Sequence, residues 1–380
     1  MALKREIIVL GDIEMGAGNL TDDFISDNTL SKLILDLTDR EHPIDLVLNG
    51  DTFDFLKCPY FDRNKFIYPR HISAKVSIGK LKLMYHAHRK VFRALKKFVQ
   101  KRKNNLIFTI GNHDVDLVYK LVQKKIKDLV NHKENVFFKM NYKRHKVYIE
   151  HGQQYDILNK INLKKLFLHY KGQDILNLSF VSLSVINTFL HMKETHPFLE
   201  RIFPRPTLFS FHQPIKEKLT KQSFSYALKS ILYYPFRYYS DPTYNIPKEL
   251  FRVFYFRWRK VNWDIDNIVS IFEGRKERLG KHKIYVLGHV HEKFVQEKKK
   301  KVIIHPGSWR DEYELDKKTR QLIPQAKRYV QIQVLEDDVN YQLIDIPPQR
   351  TTLNFDDVVN SELEHIKKAA KEEGFSSGLV

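Results

Sequence analysis

The stretch Leu106-Ile107-Phe108-Thr109-Ile110-Gly111-Asn112-His113-Asp114 joins a run of apolar and β-branched residues to a polar turn. Such a run predicts a buried central strand whose C-terminal end carries the polar side chains. The same order returns at four other places. These are Ile7 to Leu10 before Gly11-Asp12, Ile44 to Leu48 before Asn49-Gly50-Asp51, Val147 to Glu150 before His151-Gly152, and Ile284 to Leu287 before Gly288-His289-Val290-His291.

Basic, helix-compatible stretches such as residues 30–39 and 81–101 separate the first three of these strands. Alternation of strand, polar loop and helix is typical of an α/β core. In such cores ligands bind beyond the carboxyl ends of the strands, so we expect the polar side chains to gather at one edge.

The strand ends carry carboxylate, amide and imidazole side chains. Each motif alone is weak, because a Gly-Asp pair or a lone histidine at a loop is commonly just a turn residue. Together they predict a mixed oxygen and nitrogen shell for two divalent or trivalent first-row metal ions. Two ions about 4 Å apart can hold a hydroxide and clamp both oxygens of an in-line displacement at phosphorus. The candidate residues are Asp12, Glu14, Asp51, Asp54, Asn112, His113, Asp114, His151, His289 and His291.

The motifs Gly50-Asp51-Thr52-Phe53-Asp54, Gly111-Asn112-His113-Asp114 and Gly288-His289-Val290-His291, together with His151, resemble those of the calcineurin-like metallophosphoesterases. The resemblance covers residues 1–154 and 282–346. It implies that Asp51 bridges two metal ions, that Asp12, Glu14 and His291 complete one site, and that Asn112, His151 and His289 complete the other. It also implies that His113 donates a proton to the substrate and that Asp114 holds the His113 ring. We expect Asp54 to contact a metal-binding residue and not to bind a metal ion itself.

One residue departs from the family pattern. The opening motif of the family is usually Asp-x-His, and here it is Asp12-Ile13-Glu14. A glutamate oxygen can replace the imidazole and favours hard ions, so we expect Mn²⁺, with iron, Mg²⁺ and Zn²⁺ as alternatives. The other interpretation is that Glu14 misses the metal and leaves a weak or single-metal site.

The fold implied by the resemblance is an α/β four-layer sandwich of two mixed β-sheets flanked by helices. We expect residues 1–154 and 282–346 to form this core, residues 155–281 to form a mainly helical insertion, and residues 347–380 to form a C-terminal helix or tail. An insertion that leaves after His151 and returns before His289 must emerge beside the active site, so it is a candidate lid.

The insertion is rich in aromatic residues interleaved with arginines and offers no strong strand. Residues 176–192 lack charged side chains, yet serines and asparagines dilute them, which favours a buried or interfacial helix over a membrane span. The aromatic residues can pack the lid on the core, enter a lipid interface or stack on bases. They include Phe198, Phe203, Phe209, Phe211, Tyr233, Tyr234, Phe236, Tyr238, Tyr239, Phe251, Phe254, Tyr255, Phe256, Trp258 and Trp263.

The resemblance leaves the substrate open, because members of the family cut phosphomonoesters, phosphodiesters and pyrophosphates. A helical insertion at this place is similar to that of UDP-2,3-diacylglucosamine hydrolase, which cuts a lipid-linked pyrophosphate. The Gly-Asp-x-Phe-Asp signature at residues 50–54 is shared with the exonuclease branch. We favour a metal-dependent phosphatase acting on a lipid-linked or nucleotide-linked phosphate. The alternatives are a DNA or RNA phosphodiesterase and a non-catalytic scaffold that binds anions.

Charge and cysteine content restrict the partners and the compartment. Lys and Arg outnumber Asp and Glu by 65 to 45, which gives a formal net charge of +20. This excess favours phosphate-bearing substrates, an acidic membrane surface or, less strongly, nucleic acid. Cys58 is the only cysteine, so an intrachain disulfide and a thiolate zinc cluster are excluded. We therefore expect a cytoplasmic protein, with peripheral membrane association as the alternative.

Overall fold

The computed structural model describes residues 3–131, 134–156, 158–246, 265–274 and 282–375. The first sheet has six strands in the order β18-β17-β1-β2-β5-β6, and β1, β2, β5 and β6 run parallel. β17 pairs antiparallel with both β1 and β18. The strands are β1 (Arg5–Gly11), β2 (Ile44–Asn49), β5 (Asn105–Thr109), β6 (Val136–Lys139), β17 (Lys327–Val334) and β18 (Val339–Ile346).

The second sheet has five strands in the order β13-β14-β12-β8-β7. Its three inner strands are parallel, and an antiparallel strand lies at each edge. The α/β class and the two mixed sheets expected from the sequence are therefore present. The strands are β7 (Tyr142–Arg144), β8 (Val147–Ile149), β12 (Ile284–Val286), β13 (Lys293–Lys298) and β14 (Lys301–Pro306).

One apolar cluster joins the two sheets. It contains Ile7 and Val9 of the first sheet together with Ile149 and Val286 of the second. Because side chains alternate along a strand, Ile8 and Leu10 point the other way, into a cluster built with four helices. These helices are α1 (Asp27–Thr38), α2 (Ala74–Ala87), α3 (Arg89–Gln100) and α4 (Lys120–Leu129).

The segment 155–281 is mainly helical where it is described. Its helices are α5 (Phe180–Ser184), α6 (Leu190–Thr195), α7 (Arg205–Phe211), α8 (Gln213–Tyr238) and α9 (Ile265–Glu273). A π-helical turn at Val185–Phe189 joins α5 to α6, and α9 packs on the outer face of the second sheet through Phe272. Within the described residues, no helix combines the length and apolar character that crossing a bilayer requires.

The expectation that this segment offers no strong strand was wrong. Strands β9 (Phe167–Tyr170) and β10 (Gln173–Leu176) form an antiparallel hairpin, and β11 (Ile202–Phe203) pairs with β15. The hairpin turn is Lys171-Gly172, and both residues have positive φ, at 47° and 76°. A two-residue turn of this kind matches the twist of the strands it joins. The aromatic residues from Phe251 to Trp263 lie outside the described residues.

The C-terminal residues are packed rather than loose. Ile366, Ala369 and Phe375 enter an apolar cluster that also contains Phe198 and Leu208 of the segment 155–281. The remaining elements are β3 (Tyr60–Asp62), β4 (Lys65–Ile67), β15 (Tyr313–Leu315), β16 (Gln321–Pro324), β19 (Leu353–Asn354), α10 (Phe355–Asn360) and α11 (Glu362–Glu372), with short 3₁₀ turns at Val115–Val118, Gln153–Tyr155 and Leu199–Arg201.

Candidate metal centre

The candidate residues lie on loops that follow five parallel strands. β1, β2 and β5 of the first sheet and β8 and β12 of the second all end at the same region of the molecule. The carboxyl ends of parallel strands share one edge of a sheet, and the packing of the two sheets brings both edges together. The ten residues predicted from the sequence belong to these five loops and form one group of contacts.

The backbone of this region is held in the left-handed conformation at four of these positions. The φ angles are 24° at Asp12, 54° at Glu14, 46° at Asp51 and 75° at His289. A residue with a side chain adopts such angles only when the surrounding structure compensates for the strain, which is frequent at active sites. The strain turns these side chains towards a common point.

Two glycines make the close approach of the loops feasible. A Cβ atom on Gly111 would lie 2.1 Å from an Asp51 carboxylate oxygen, and one on Gly50 would lie 2.4 Å from the His151 ring. Gly50 also has a φ of 71°, which favours glycine. These positions accept no larger residue without displacing Asp51 or His151.

Asp51 connects two groups of donor atoms. Its Oδ2 lies 3.0 Å from His151 Nε2, which is also 3.3 Å from Asn112 Oδ1. One donor atom each from Asp51, His151 and His289 lie within 4.8 Å of one another, and the same is true of Glu14, Asp51 and His113. Asp51 therefore belongs to both groups.

Asp12, Glu14 and His291 lie close to one another. His291 Nε2 is 3.5 Å from Glu14 Oε1 and 3.9 Å from Asp12 Oδ1. Asp12 Oδ1 is also 3.8 Å from His151 Nε2, and the His289 N–H donates to the Asp12 carboxylate at 3.1 Å. Asp12 thus lies between the two histidine groups.

Each of the three candidate ligand histidines has a partner on its other ring nitrogen. His151 Nδ1 lies 2.9 Å from the Asn49 carbonyl oxygen, and His291 Nδ1 lies 2.7 Å from Glu312 Oε1. His289 Nε2 lies 3.0 Å from Asp156 Oδ2. Partners of this kind fix the ring and its tautomer, as they do behind metal ligands. The sequence did not indicate Glu312 and Asp156, because neither residue directly follows one of the five apolar strands.

The structure corrects the role expected for Asp114. Its carboxylate accepts the backbone N–H groups of Gly111 at 2.7 Å and Thr52 at 2.9 Å, so it braces two loops. The residue at the His113 ring is Asp54, whose Oδ1 lies 3.0 Å from His113 Nδ1. The sequence favoured Asp114 because it is adjacent to His113, but adjacent side chains in an extended turn point apart.

The centre holds more carboxylates than it has cations close by. Burial alone would lower the pKa of His151, but Asp51 and Asp12 beside it raise that pKa to about 10. Burial alone would also lower the pKa of His113, but Glu14, Asp54 and Asp51 raise it to about 9. A cluster that holds its imidazoles protonated is one in which added positive charge is stabilised.

Lys57 and Arg310 face the centre from outside the predicted set. Lys57 Nζ lies 2.9 Å from Glu14 Oε2, 2.7 Å from Asp23 Oδ2 and 2.9 Å from Asp54 Oδ2. Arg310 Nη2 lies 2.9 Å from Asp23, and its Nε lies 3.6 Å from Glu14. No sequence signal separates these two residues from the other 63 lysines and arginines, since only the folded chain brings them to Glu14.

The donor set fits metal ions. Carboxylate oxygens, one amide oxygen and imidazole nitrogens are the ligands that first-row divalent ions take. The donor atoms lie 3.0–3.9 Å apart, which suits ligands that share an ion at about 2.0–2.2 Å. Asp12, Glu14, Asp51, Asn112, His151, His289 and His291 are the residues that would hold such ions.

A cavity of about 370 Å³ adjoins the centre, with Lys57 in the wall between them. Residues of the segment 155–281 form the rest of its lining, and most of them are apolar. Its polar residues are Lys57, Lys193, His196, Glu200 and Arg205, and its apolar residues are Val185, Phe189, Leu190, Met192, Leu199, Leu208, Phe209, Ile215 and Leu219.

Comparison with known families agrees with this chemistry. A family model described as calcineurin-like phosphoesterase matches residues 6–293, which include all ten candidate residues. No curated protein matches the chain. The family match spans both halves of the centre and the segment between them.

Solved structures also match at low similarity. Vacuolar Protein Sorting 29 from Cryptosporidium parvum is 17% identical over 21% of this chain and 44% of its own, with a TM-score of 0.12. A Staphylococcus aureus protein described as a 5′-nucleotidase, in complex with alpha-ketoglutarate, is 13% identical over 97% of this chain and 58% of its own, with a TM-score of 0.31. This chain spans less than two thirds of the length of either structure.

Proposed function

We propose that this chain, which belongs to the calcineurin-like phosphoesterases, is a metal-dependent phosphoesterase that hydrolyses a phosphate ester or pyrophosphate with two metal ions. The observation that carries the proposal is the position of Asp51, which shares one group of donor atoms with His151 and His289 and another with Glu14 and His113. A carboxylate shared by two groups is suited to bridge two ions, with Asp12, Glu14 and His291 on one and Asn112, His151 and His289 on the other.

When bound, such a pair of ions supplies an activated water and stabilises charge on the attacking and leaving oxygens. The residues of the chain do the rest. His113 lies at the edge of the centre, where its side chain is 19% exposed and can meet a substrate. Asp54 fixes the ring through Nδ1 at 3.0 Å. His113 is then the acid that protonates the leaving oxygen.

We propose a substrate that carries a hydrocarbon chain next to its phosphate. The cavity beside Lys57 supports this, because its walls are mainly apolar while Lys57, Lys193 and Arg205 supply positive charge alongside the Glu200 carboxylate. A lipid-linked pyrophosphate has both features. A nucleotide-linked phosphate is the alternative within the same chemistry, and a DNA or RNA phosphodiester is the second candidate because of the excess of basic residues.

We propose that residues 155–281 act as the lid over this cavity, inserted between core segments 1–154 and 282–346 of a four-layer sandwich. The lining residues from Val185 to Leu219 all belong to this segment. For the metal we propose Mn²⁺, since the carboxylate at Glu14 favours a hard ion. The single cysteine, Cys58, is buried, which agrees with a reducing cytoplasmic compartment.

A substrate panel with Mn²⁺ tests the function. It comprises p-nitrophenyl phosphate, bis-p-nitrophenyl phosphate, a UDP-linked acylated sugar, the same sugar without acyl chains, and single-stranded DNA. We expect the acylated compound to show the highest kcat/KM. Preference for the deacylated sugar or for DNA would reject the lipid-linked substrate and leave the hydrolase intact.

Two ligand variants test the metal centre. Asp51→Asn and His289→Ala should each reduce turnover by more than about 100-fold, because even residues behind a metal ligand typically contribute 10- to 100-fold. Metal content by plasma mass spectrometry should fall, and the far-UV circular dichroism should not change. Normal turnover in either variant would reject the two-metal mechanism. A wild-type chain that retains no ions and cleaves nothing would instead be the anion-binding scaffold.

A further inference from the structure

Helix α8 exposes an apolar face along its second half. Phe224, Leu228, Leu232 and Phe236 are 69%, 47%, 62% and 79% exposed, and Tyr239, just beyond the helix, is 92% exposed. These residues recur at intervals of three and four, so they lie on one side of the helix. The buried residues Tyr226, Ser230 and Tyr234 lie on the opposite side. One side of α8 therefore packs on the rest of the chain. The other side, which is apolar, stays exposed in the described part of the structure.

Positive charge accompanies this face. Lys221 and Lys229 are exposed on this side of α8, and no Asp or Glu occurs in the sequence between Glu217 and Asp241. Aromatic and aliphatic side chains bordered by lysine and arginine are typical of helices that lie at the surface of an anionic bilayer. Phenylalanine enters the acyl region there, while tyrosine remains at the headgroups.

We propose that α8 binds the surface of a bilayer that contains anionic lipids, with Phe224, Leu228, Leu232 and Phe236 inserted and Lys221 and Lys229 at the headgroups. The charge pattern argues against a second copy of the chain as the occupant. A two-fold pairing of this face would bring the lysines of both copies together without acidic partners from α8. Because this contact is a binding event, it can be measured without any hydrolysis.

Co-sedimentation with vesicles tests the proposal on the full-length protein. The vesicles are phosphatidylcholine alone and phosphatidylcholine with phosphatidylglycerol, each at low and high salt. The variants are Leu232→Ser/Phe236→Ser and Lys221→Gln/Lys229→Gln. The control is Phe61→Ser/Phe66→Ser, which removes two phenylalanines that are 52% and 60% exposed on the β3–β4 hairpin.

We expect binding to the anionic vesicles only, weakened by salt. The Leu232/Phe236 variant should bind about tenfold or more weakly, as expected from losing two inserted apolar side chains. The Lys221/Lys229 variant should lose most of the salt dependence, and the control should bind like wild type. Equal thermal melting of all variants confirms that each is folded.

Three outcomes would overturn the proposal. The first is no vesicle binding by wild type, which would mean that a lipid bilayer is not the occupant of this face. The second is wild-type binding by the Leu232/Phe236 variant. The third is a concentration-dependent dimer by light scattering that the Leu232/Phe236 substitutions abolish, because this would assign the face to a second copy.

We also infer, from a separate observation, that Lys57 is a positioning residue. It orients the Glu14 carboxylate and offsets its charge, so that a glutamate can serve as a metal ligand at this position. Its ammonium group contacts Glu14, Asp23 and Asp54 at 2.7–2.9 Å, and its side chain is 3% exposed. One Glu14 oxygen faces Lys57 and the other faces His291 at 3.5 Å. Lys57 therefore leaves one oxygen of Glu14 for an ion and offsets the charge that a glutamate adds.

This inference rests on the proposed metal centre and concerns the charge at one of its ligands. If Glu14 and Lys57 compensate each other, replacing Glu14 with a neutral residue leaves one excess positive charge beside an ion. That excess weakens cation binding, and removing the Lys57 charge in the same chain should restore it. A merely structural lysine would show no such rescue.

The test compares Glu14→His, Lys57→Met and the Glu14→His/Lys57→Met double variant. The measurement is Mn²⁺ and Zn²⁺ binding by isothermal titration calorimetry, without substrate. We expect Glu14→His to weaken one Mn²⁺ site by about tenfold or more, and the double variant to recover that loss and to prefer Zn²⁺. Glu14→Gln with and without Lys57→Met repeats the comparison with a residue of glutamate's size, in case the histidine variants do not fold.

A double variant that binds no better than Glu14→His would overturn the inference. So would a Glu14→His protein with the Mn²⁺ affinity of wild type. Failure of all proteins, wild type included, to bind two ions would reject the metal centre itself. That result is distinguishable from loss of the rescue alone.

Discussion

His113 is the residue whose surroundings most directly suggest a proton transfer. Its ring is held by Asp54 at Nδ1, and its backbone N–H donates to Asp51 Oδ1 at 2.7 Å. His113 is thus tied to the centre by two carboxylates, one at its ring and one at its backbone. Its position also makes it a candidate ligand, because one of its nitrogens lies close to Glu14 and Asp51. Mutation distinguishes the two roles.

We expect His113→Ala to keep its metal ions and to lose about two to four orders of magnitude in kcat, the range typical of a lost general acid. The loss should be smaller for p-nitrophenyl phosphate, whose leaving group needs no protonation. Steady-state kinetics with both substrate types and metal analysis measure this. Asp54→Asn should cause part of the kcat loss expected for His113→Ala. Asp114→Asn should mainly lower the free energy of unfolding. Loss of the ions from His113→Ala would make His113 a ligand.

Gly111 controls the position of Asp51. We expect Gly111→Ala to displace the Asp51 carboxylate, since the added Cβ would lie 2.1 Å from one of its oxygens. Turnover should then fall by more than about 100-fold, as in the Asp51→Asn variant. The matched control is Gly172→Ala in the β9–β10 turn, where φ is also positive but no atom lies within 4 Å of the new Cβ. That variant should cost about 1 kcal/mol of stability and leave turnover unchanged.

At the scale of elements, His88 joins three parts of the core. It lies between α2 and α3, with Nδ1 2.7 Å from Asp27 of α1 and Nε2 3.0 Å from Asp22 of the loop before it. Its side chain is fully buried. Burial alone would lower its pKa, but Asp22 and Asp27 raise it to about 10. The folded protein therefore holds His88 as a cation.

The sign of the pH effect follows from this shift. A raised pKa in the folded state means that the stabilisation is complete below the unfolded pKa of 6.5 and is lost as the pH rises towards 10. We expect His88→Gln to lower the free energy of unfolding by about 2–3 kcal/mol near pH 6. The difference from wild type should shrink at about pH 9. Urea unfolding of both proteins at the two pH values measures it, and a constant difference would contradict the ion pairs.

At the scale of the whole molecule, Asp311 connects three parts of the chain. Arg201 of the segment 155–281 and Arg350 near the C-terminus both pair with its carboxylate, and Arg201 also donates to the Asp22 carbonyl oxygen at 2.7 Å. All three side chains are buried or nearly so. The proposed lid is therefore anchored to the core and to the C-terminal residues by charges that water does not reach.

We expect Arg201→Met to lower the free energy of unfolding by about 3–5 kcal/mol, because it leaves Asp311 and Asp23 short of a buried partner. The control is Lys216→Met on α8, which is exposed and should change stability by less than about 0.5 kcal/mol. Chemical denaturation measures both, and the slope of the transition shows whether the segment unfolds with the core. A small effect of Arg201→Met would mean that the anchor is dispensable.

The sequence by itself indicated the five strands that precede the candidate residues, and it indicated those ten residues as a set. An apolar run that ends in Gly, Asp, Asn or His is a local pattern, so it can be recognised without knowing what lies beside it. Strands without such an ending were not predicted, and among them is the β9–β10 hairpin, whose turn signal Lys171-Gly172 is weaker than the usual Asn-Gly.

Only the tertiary structure decided which residues support the site. Lys57 and Arg310 reach Glu14, Glu312 and Asp156 reach the histidines, and Asp54 rather than Asp114 holds His113. These partners are up to 296 positions apart in the sequence. Their contacts depend on how the two sheets pack and on which way each side chain points. Neither is encoded in a local pattern, because a charged residue looks the same in the sequence whether it faces water or a buried carboxylate.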